Sequence, residues 1–161
     1  MSPVLVVPVL FASALSIGPM AAAQPHHENE THQVVAVLEQ VGAAQTDDDI
    51  AAVRQQEGAT LLTDPDTGHV VAAVSGRSAL GRTVNPIGPG CSTSSLCMRT
   101  SSNVPYGYSG TGTRTGTRKS IAENRAGDRR SRFEWVGGSM TLLAGQTNFF
   151  GHPVRMSKIS R

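Results

Sequence analysis

Between Gly76 and Gly90 the chain holds four glycines and two prolines, a composition that no regular helix or strand runs through. Pro86 and Pro89 lack the backbone N–H that a ladder or helix would use. The stretch 76–90 is therefore expected to be a linker. Arg77 and Arg82 would open it to a trypsin-like protease, and an ordered, uncleaved loop is the equal alternative.

The two sides of this stretch carry opposite charge. From Gln24 to Ser75 one basic residue, Arg54, stands against nine acids, a formal charge of −8. From Gly76 onward 13 basic residues stand against Glu123, Asp128 and Glu134, a charge of +10, so the overall +2 conceals the division. Such asymmetry speaks about partners. Charged residues are only 16% of the chain, which excludes a disordered polyelectrolyte and a coiled coil. A length of 161 residues suits one domain or two very small ones.

Val4 to Ile17 is almost wholly apolar, and Met20-Ala21-Ala22-Ala23 follows with the small-x-small pattern of a signal-peptidase site. A signal peptide over 1–23, cut after Ala23, and a secreted protein are expected. No Lys or Arg precedes the apolar run, so the usual basic start is missing. The other reading is a buried apolar strand or helix; the run is short for a bilayer span. In an oxidising compartment Cys91 and Cys97 would form a disulfide. Closing so short a loop contributes roughly 2 kcal/mol. Two cysteines supply half of a tetrahedral shell, so neither metal nor cofactor is expected.

The acidic part, 24–75, reads as helix, helix, β-hairpin. Val34, Val37, Leu38 and Val41 recur at helical spacing, and Gly42 can end that helix. Thr46 before Asp47-Asp48-Asp49 is an N-cap followed by negative charge at the positive end of the helix dipole. Ile50 and Val53 give that second helix its buried face. Thr60–Thr63 and His69–Val74 are β-rich, joined by the turn Asp64-Pro65-Asp66-Thr67-Gly68. This part is small and has few large side chains, so it should pack on something else, most simply the basic part, and can serve as a pro-segment or an intramolecular mask.

The basic part, 91–161, reads as five or six short strands in an all-β antiparallel sandwich or barrel, α+β overall. Leu96 and Met98 alternate with polar neighbours, as do Phe133 and Trp135. Met140–Leu142, Thr147–Phe150 and a last strand headed by Val154 and Met156 follow. Ser120–Arg125 could make one helical turn. Gly110–Arg118 is a Gly-Thr-Arg tract whose threonines Thr111, Thr113, Thr115 and Thr117 would share one face of an extended chain; a glycine-rich hairpin is the plainer reading.

From Arg114 to Arg132 seven basic residues, Arg114, Arg118, Lys119, Arg125, Arg129, Arg130 and Arg132, stand against two acids. With Tyr106, Tyr108 or Trp135 stacking beside them, they would bind an anionic polymer or a protein surface. Equally, they could pair with the acidic half. Asp64-x-Asp66-x-Gly68 opens like a calcium loop but has Ser75 where the bidentate Glu belongs. His26, His27 and His32 could hold a metal weakly, yet Pro25 lacks the amide such an amino-terminal site uses. His152, with Glu123 or Glu134 as base, supplies the residue types of a ribonuclease without a motif that joins them.

Cys91-Ser-Thr-Ser-Ser-Leu-Cys97, Tyr106-Gly-Tyr-Ser-Gly110 and Phe133-Glu-Trp135 together resemble the small secreted Cys-paired β-domains of actinobacteria, some of them βγ-crystallin-like or peptidase-inhibitor-like. The resemblance covers 91–161 and implies a fold type. Asn103 stands where the crystallin pattern has its earlier aromatic, and the paired calcium signature is missing, so it carries over no site. The sequence thus points to an exported, non-enzymatic binding protein. A peptidase inhibitor anchored by Arg82 or Arg99 and a ribonuclease-type toxin using His152 are the alternatives.

Overall fold

The computed structural model describes residues 26–76 and 90–161. The expected leader and the linker between its ends lie outside the described residues.

Helix α1 (His26–Gly42), helix α2 (Asp47–Arg54) and strands β1 (Thr60–Thr63) and β2 (Val70–Val74) follow in the expected order. Leu38 is fully buried, and Val34 and Val35 pack with it against Leu62, Ala72 and Phe149. Val37, predicted in that stripe, is 42% exposed. It lies one residue, about 100° of helical rotation, from Leu38, and Val35 serves in its place. Thr46 caps α2: its hydroxyl accepts from Asp49 N at 3.2 Å, and the Asp49 carboxylate accepts from Thr46 N at 3.0 Å. The Thr46 hydroxyl, donating to the same carboxylate at 2.7 Å, and then the Thr46 N–H hold the Asp49 carboxyl below its ordinary pKa. The β1–β2 turn is set by Asp64, whose carboxylate accepts from Asp66 N and the Thr67 hydroxyl, with Gly68 at φ +72°.

Six strands follow: β3 (Leu96–Thr100), β4 (Pro105–Tyr108), β5 (Thr113–Arg125), β6 (Ser131–Trp135), β7 (Gly138–Leu142) and β8 (Thr147–Ser160). They differ from expectation in several places. No strand is expected from the sequence at β4, and Thr113–Arg118, in the tract whose plainer reading is a glycine-rich hairpin, is the exposed end of the long strand β5 paired with β8. Residues 120–125 form no helical turn; they are the buried end of β5, with Ile121, Ala122 and Asn124 inside. The strands expected at 147–150 and from 154 are one strand, β8, running through Pro153.

The architecture is α+β, with one eight-stranded sheet in the order β2-β1-β8-β5-β3-β4 and the β6–β7 hairpin attached to β8. β1 lies parallel to β8, so the sheet is mixed, and it does not close into a barrel. β5 lines one side of β8 along its length. The other side meets β1 at Thr147–Phe150 and β6 at Met156–Ser160. One strand thereby holds both parts of the chain, and β1 is buried on both faces.

The core follows from this pairing. Leu61 and Ile50 from the acidic part share one apolar cluster with Leu96, Met98, Phe133, Met156 and Ile159. Trp135 meets Phe150 edge-to-face at 5.1 Å, and its Nε1 donates to Pro65 O at 2.9 Å. Gln146, almost fully buried, donates from Nε2 to the carbonyls of Arg54 and Gln56 at 2.9 and 2.6 Å and accepts from Leu143 N at 2.9 Å. Gln45 reads the open edge of β2, donating to Ala73 O and accepting from Ala73 N. It occupies backbone groups that would otherwise invite another strand. The charge boundary therefore does not coincide with a boundary in backbone pairing or core.

Candidate functional site

Most of the basic residues from Arg99 onward separate into two groups by what they touch. Arg99, Arg125, Arg129, Arg132 and Arg161 are tied to carboxylates of their own half. Arg125 bonds Glu123 at 3.2 Å, with Arg99 at 4.0 Å from the same carboxylate. Arg129 and Arg161 both reach Asp128. Arg132 and Lys158 share Glu134 at 3.1 and 3.3 Å. The bond from Arg129 holds the Asp128 carboxyl below its usual pKa, and the bonds from Arg132 and then Lys158 do the same for Glu134.

Arg114 and Arg118 have tyrosines instead. The Arg114 guanidinium lies 5.7 Å from the Tyr108 ring centroid, and that of Arg118 lies 5.5 Å from the Tyr106 ring. Arg118 Nε also donates to Tyr108 Oη at 3.2 Å. Among the described residues neither meets a carboxylate, and the same holds for Lys119 and Arg155. Arg155 stands opposite the Lys119–Ser120 step in the β5–β8 ladder. An exposed cation–π contact contributes about 0.5–1 kcal/mol, so the guanidiniums keep their charge and most of their donors.

Local sequence creates this face. Gly112 and Arg161 exchange both backbone hydrogen bonds, at 2.8 and 3.0 Å. Bonded and non-bonded pairs alternate in an antiparallel ladder, so Arg114, opposite Ile159, bonds to β8 through its backbone. Cross-strand partners share a face, which puts Arg114 beside Ile159 and Arg118 beside Met156 on the inner side. Ser120 takes φ +59° where β5 passes from its exposed to its buried stretch. Irregular register between Thr115 and Arg118 breaks the expected threonine alternation. Tyr106 and Tyr108, opposite Met98 and Leu96 in β4, pack half-buried against the same core.

The Cys91–Cys97 disulfide, with Cα atoms 5.6 Å apart, secures the other face of β4. Cys97 is opposite Gly107 in the ladder. A Cβ on Gly107 would collide with the Gly90 carbonyl oxygen, so only glycine lets that segment cross.

Other predicted residues lie elsewhere. Trp135 is 5% exposed and belongs to the core, so its ring offers no face for stacking a ligand. Arg130 lines a separate cleft of about 840 Å³ with Arg54, Asp47 and His69. Arg99, a candidate inhibitor anchor, donates to Asn103 Oδ1 at 3.0 Å beside Glu123. The partner of His152 is Asp66, at 3.1 Å, rather than Glu123 or Glu134. That hydrogen bond raises the His152 pKa. The same pair occupies one of the two carboxylates of the calcium-like turn. Asp47, Asp48, Glu39 and Glu57 have no basic partner among the described residues, so direct ion pairs of these four do not shield the arginines. Among the described residues no helix is long and apolar enough to cross a membrane.

No family model, curated protein or solved structure matches this chain.

Sequence reasoning missed Arg155 and Arg161. Arg155 sits outside the dense basic run, and only the ladder brings it beside Lys119. Arg161 donates to Tyr108 O at 3.1 Å and Ser94 O at 2.9 Å, clamping the strand that carries the tyrosines.

Proposed function

We propose that this is an exported, non-enzymatic binding protein whose β5 face engages an anionic cell-envelope polymer or an acidic protein surface. The observation that carries the reading is the pairing of Arg114 and Arg118 with tyrosine rings while the neighbouring arginines are neutralised by carboxylates. A guanidinium resting on a ring exchanges a weak contact for a bidentate carboxylate or phosphate contact when a ligand arrives. Lys119 and Arg155, without a carboxylate partner among the described residues, add charge on the opposite face of the same strand pair, one residue out of phase with Arg118 and Met156. Export is supported by the apolar leader and by the Cys91–Cys97 bond.

The test is binding of the purified chain to immobilised poly(glycerol phosphate). Replacing both arginines, Arg114→Gln with Arg118→Gln, removes two charge-assisted contacts. At about 1 kcal/mol each on an exposed surface, the loss is roughly 30-fold in Kd. Arg129→Gln with Arg132→Gln, which alters two arginines already paired, should change it less than threefold. Equal losses from the two double variants would refute the assignment.

A further inference from the structure

The stretch of β5 that carries the two arginines also has an unpaired edge. β3 pairs with β5 only from Ile121 to Arg125, while Thr113–Arg118 meets β8 on one side and, among the described residues, no strand on the other. Since Gly112 and Arg114 are the positions bonded to β8, the N–H and C=O groups of Thr113 and Thr115 point outward along that open edge. Both residues are exposed. Beside them a hollow of about 170 Å³ opens between the Ser109–Gly112 loop, Tyr108 and Ile159.

The contrast within the same molecule is informative. The open edge of β2 is filled by the Gln45 side chain, and that of β4 carries Pro105 and is crossed by Gly90. The Thr113–Thr115 edge has no such cover among the described residues, and open edges are commonly blunted in stable proteins.

We propose that an extended acidic polypeptide segment adds here as a strand, its backbone bonding Thr113 and Thr115 and its carboxylates taking Arg114 and Arg118. This deepens the reading of the β5 face given above and rests on it. Backbone pairing supplies affinity in this mode, and side chains at alternate positions supply selectivity. Carboxylates two residues apart would fall on the arginine face, since strand side chains alternate. The occupant is identified by charge. A second copy of this edge would set Arg114 and Arg118 against themselves. Residues 1–25 and 77–89 of this chain contain no acidic side chain, so they cannot supply the carboxylates.

The experiment uses the full chain and a blocked, fluorescently labelled heptapeptide, Val-Glu-Thr-Glu-Thr-Glu-Val. A second peptide of the same sequence is N-methylated at alternate residues, in both possible phases. Poly(glycerol phosphate) is a third probe. The expected result is saturable binding of the parent peptide, weakened at least tenfold by one methylation phase and little by the other. Thr115→Pro, which removes one outward N–H, should weaken the parent peptide similarly, with circular dichroism reporting that the fold is kept. Equal binding of the parent and both methylated peptides would overturn strand addition. Binding of the polymer without the peptide would overturn it too, while leaving the anionic-ligand reading standing. Failure of both probes would remove both. Concentration-dependent self-association in place of peptide binding would assign the edge to a second copy and overturn the acidic occupant.

Discussion

Replacing Gln146 by alanine should loosen the acidic segment from the sheet at a cost that can be worked out bond by bond. Its amide holds three backbone groups: the carbonyls of Arg54 and Gln56, and the N–H of Leu143. The side chain is 1% exposed, so water reaches these groups poorly once it is gone. A backbone group left dry costs about 1–3 kcal/mol, and one that recovers a water costs less. Taking about 1 kcal/mol for each of the three gives roughly 3 kcal/mol. That is a large share of the 5–15 kcal/mol typical of a domain. With an m-value of about 2 kcal/mol/M, the urea midpoint should fall by roughly 1.5 M. Tm should fall by roughly 10 °C. Gln146→Leu serves as the companion variant, because it fills the volume but leaves the same groups unpaired. Both variants should lose similar stability, and amides at the end of α2 should exchange faster than those of β3. A loss below about 1 kcal/mol, or a leucine variant as stable as the parent, would refute the view that this amide couples the two parts.

Other outcomes follow from the same geometry. Gly107→Ala should be destabilising by more than a surface Gly→Ala change, and it should slow formation of the Cys91–Cys97 bond, read by refolding under oxidising conditions with mass analysis. Reducing that disulfide should cost roughly 2 kcal/mol by loop entropy, measured by denaturation with and without reductant. His152 should titrate above the ordinary 6.5 because Asp66 accepts from its ring, and Asp66→Asn should return it toward that value in an NMR titration. Since the folded pKa is raised, the stabilisation from this pair is fully present below the unfolded value and is lost as pH rises through the folded one. For Asp49 the sign is opposite. Its folded pKa is lowered, so the capping-box contribution is present above the unfolded value near 3.8 and is lost as pH falls through the folded one.

Local chemistry made the acidic part readable. Thr46, the three aspartates after it and Asp64-Pro-Asp-Thr-Gly68 act within a few residues of themselves, so their cap and turn follow from side-chain type. The alternation of Phe133 and Trp135 likewise marks β6, because a half-buried strand leaves a period of two. What could not be read is non-local. Nothing in Thr60–Thr63 says that it will lie parallel to Thr147–Phe150, and that pairing makes the sheet mixed. Pro153 argues for a break, yet β8 continues through it, with β1 flanking its Thr147–Phe150 stretch and β6 its far end. The site was half visible. Basic residues and tyrosines stand out by type, but which arginine meets a carboxylate depends on cross-strand register. Arg132 and Glu134 share a strand face, while Arg114 rests on the Tyr108 ring. Trp135 looked like a stacking platform because it is flanked by charge; its ring turns inward onto Phe150.

The most direct measurement is the salt dependence of poly(glycerol phosphate) binding by the parent chain and by the Arg114→Gln, Arg118→Gln double variant. If these two guanidiniums make the main contacts to an anion, affinity should fall steeply with added salt, and the double variant should show a clearly shallower slope. Identical slopes for the two proteins would contradict the account, because the charge that meets the polymer would then lie elsewhere.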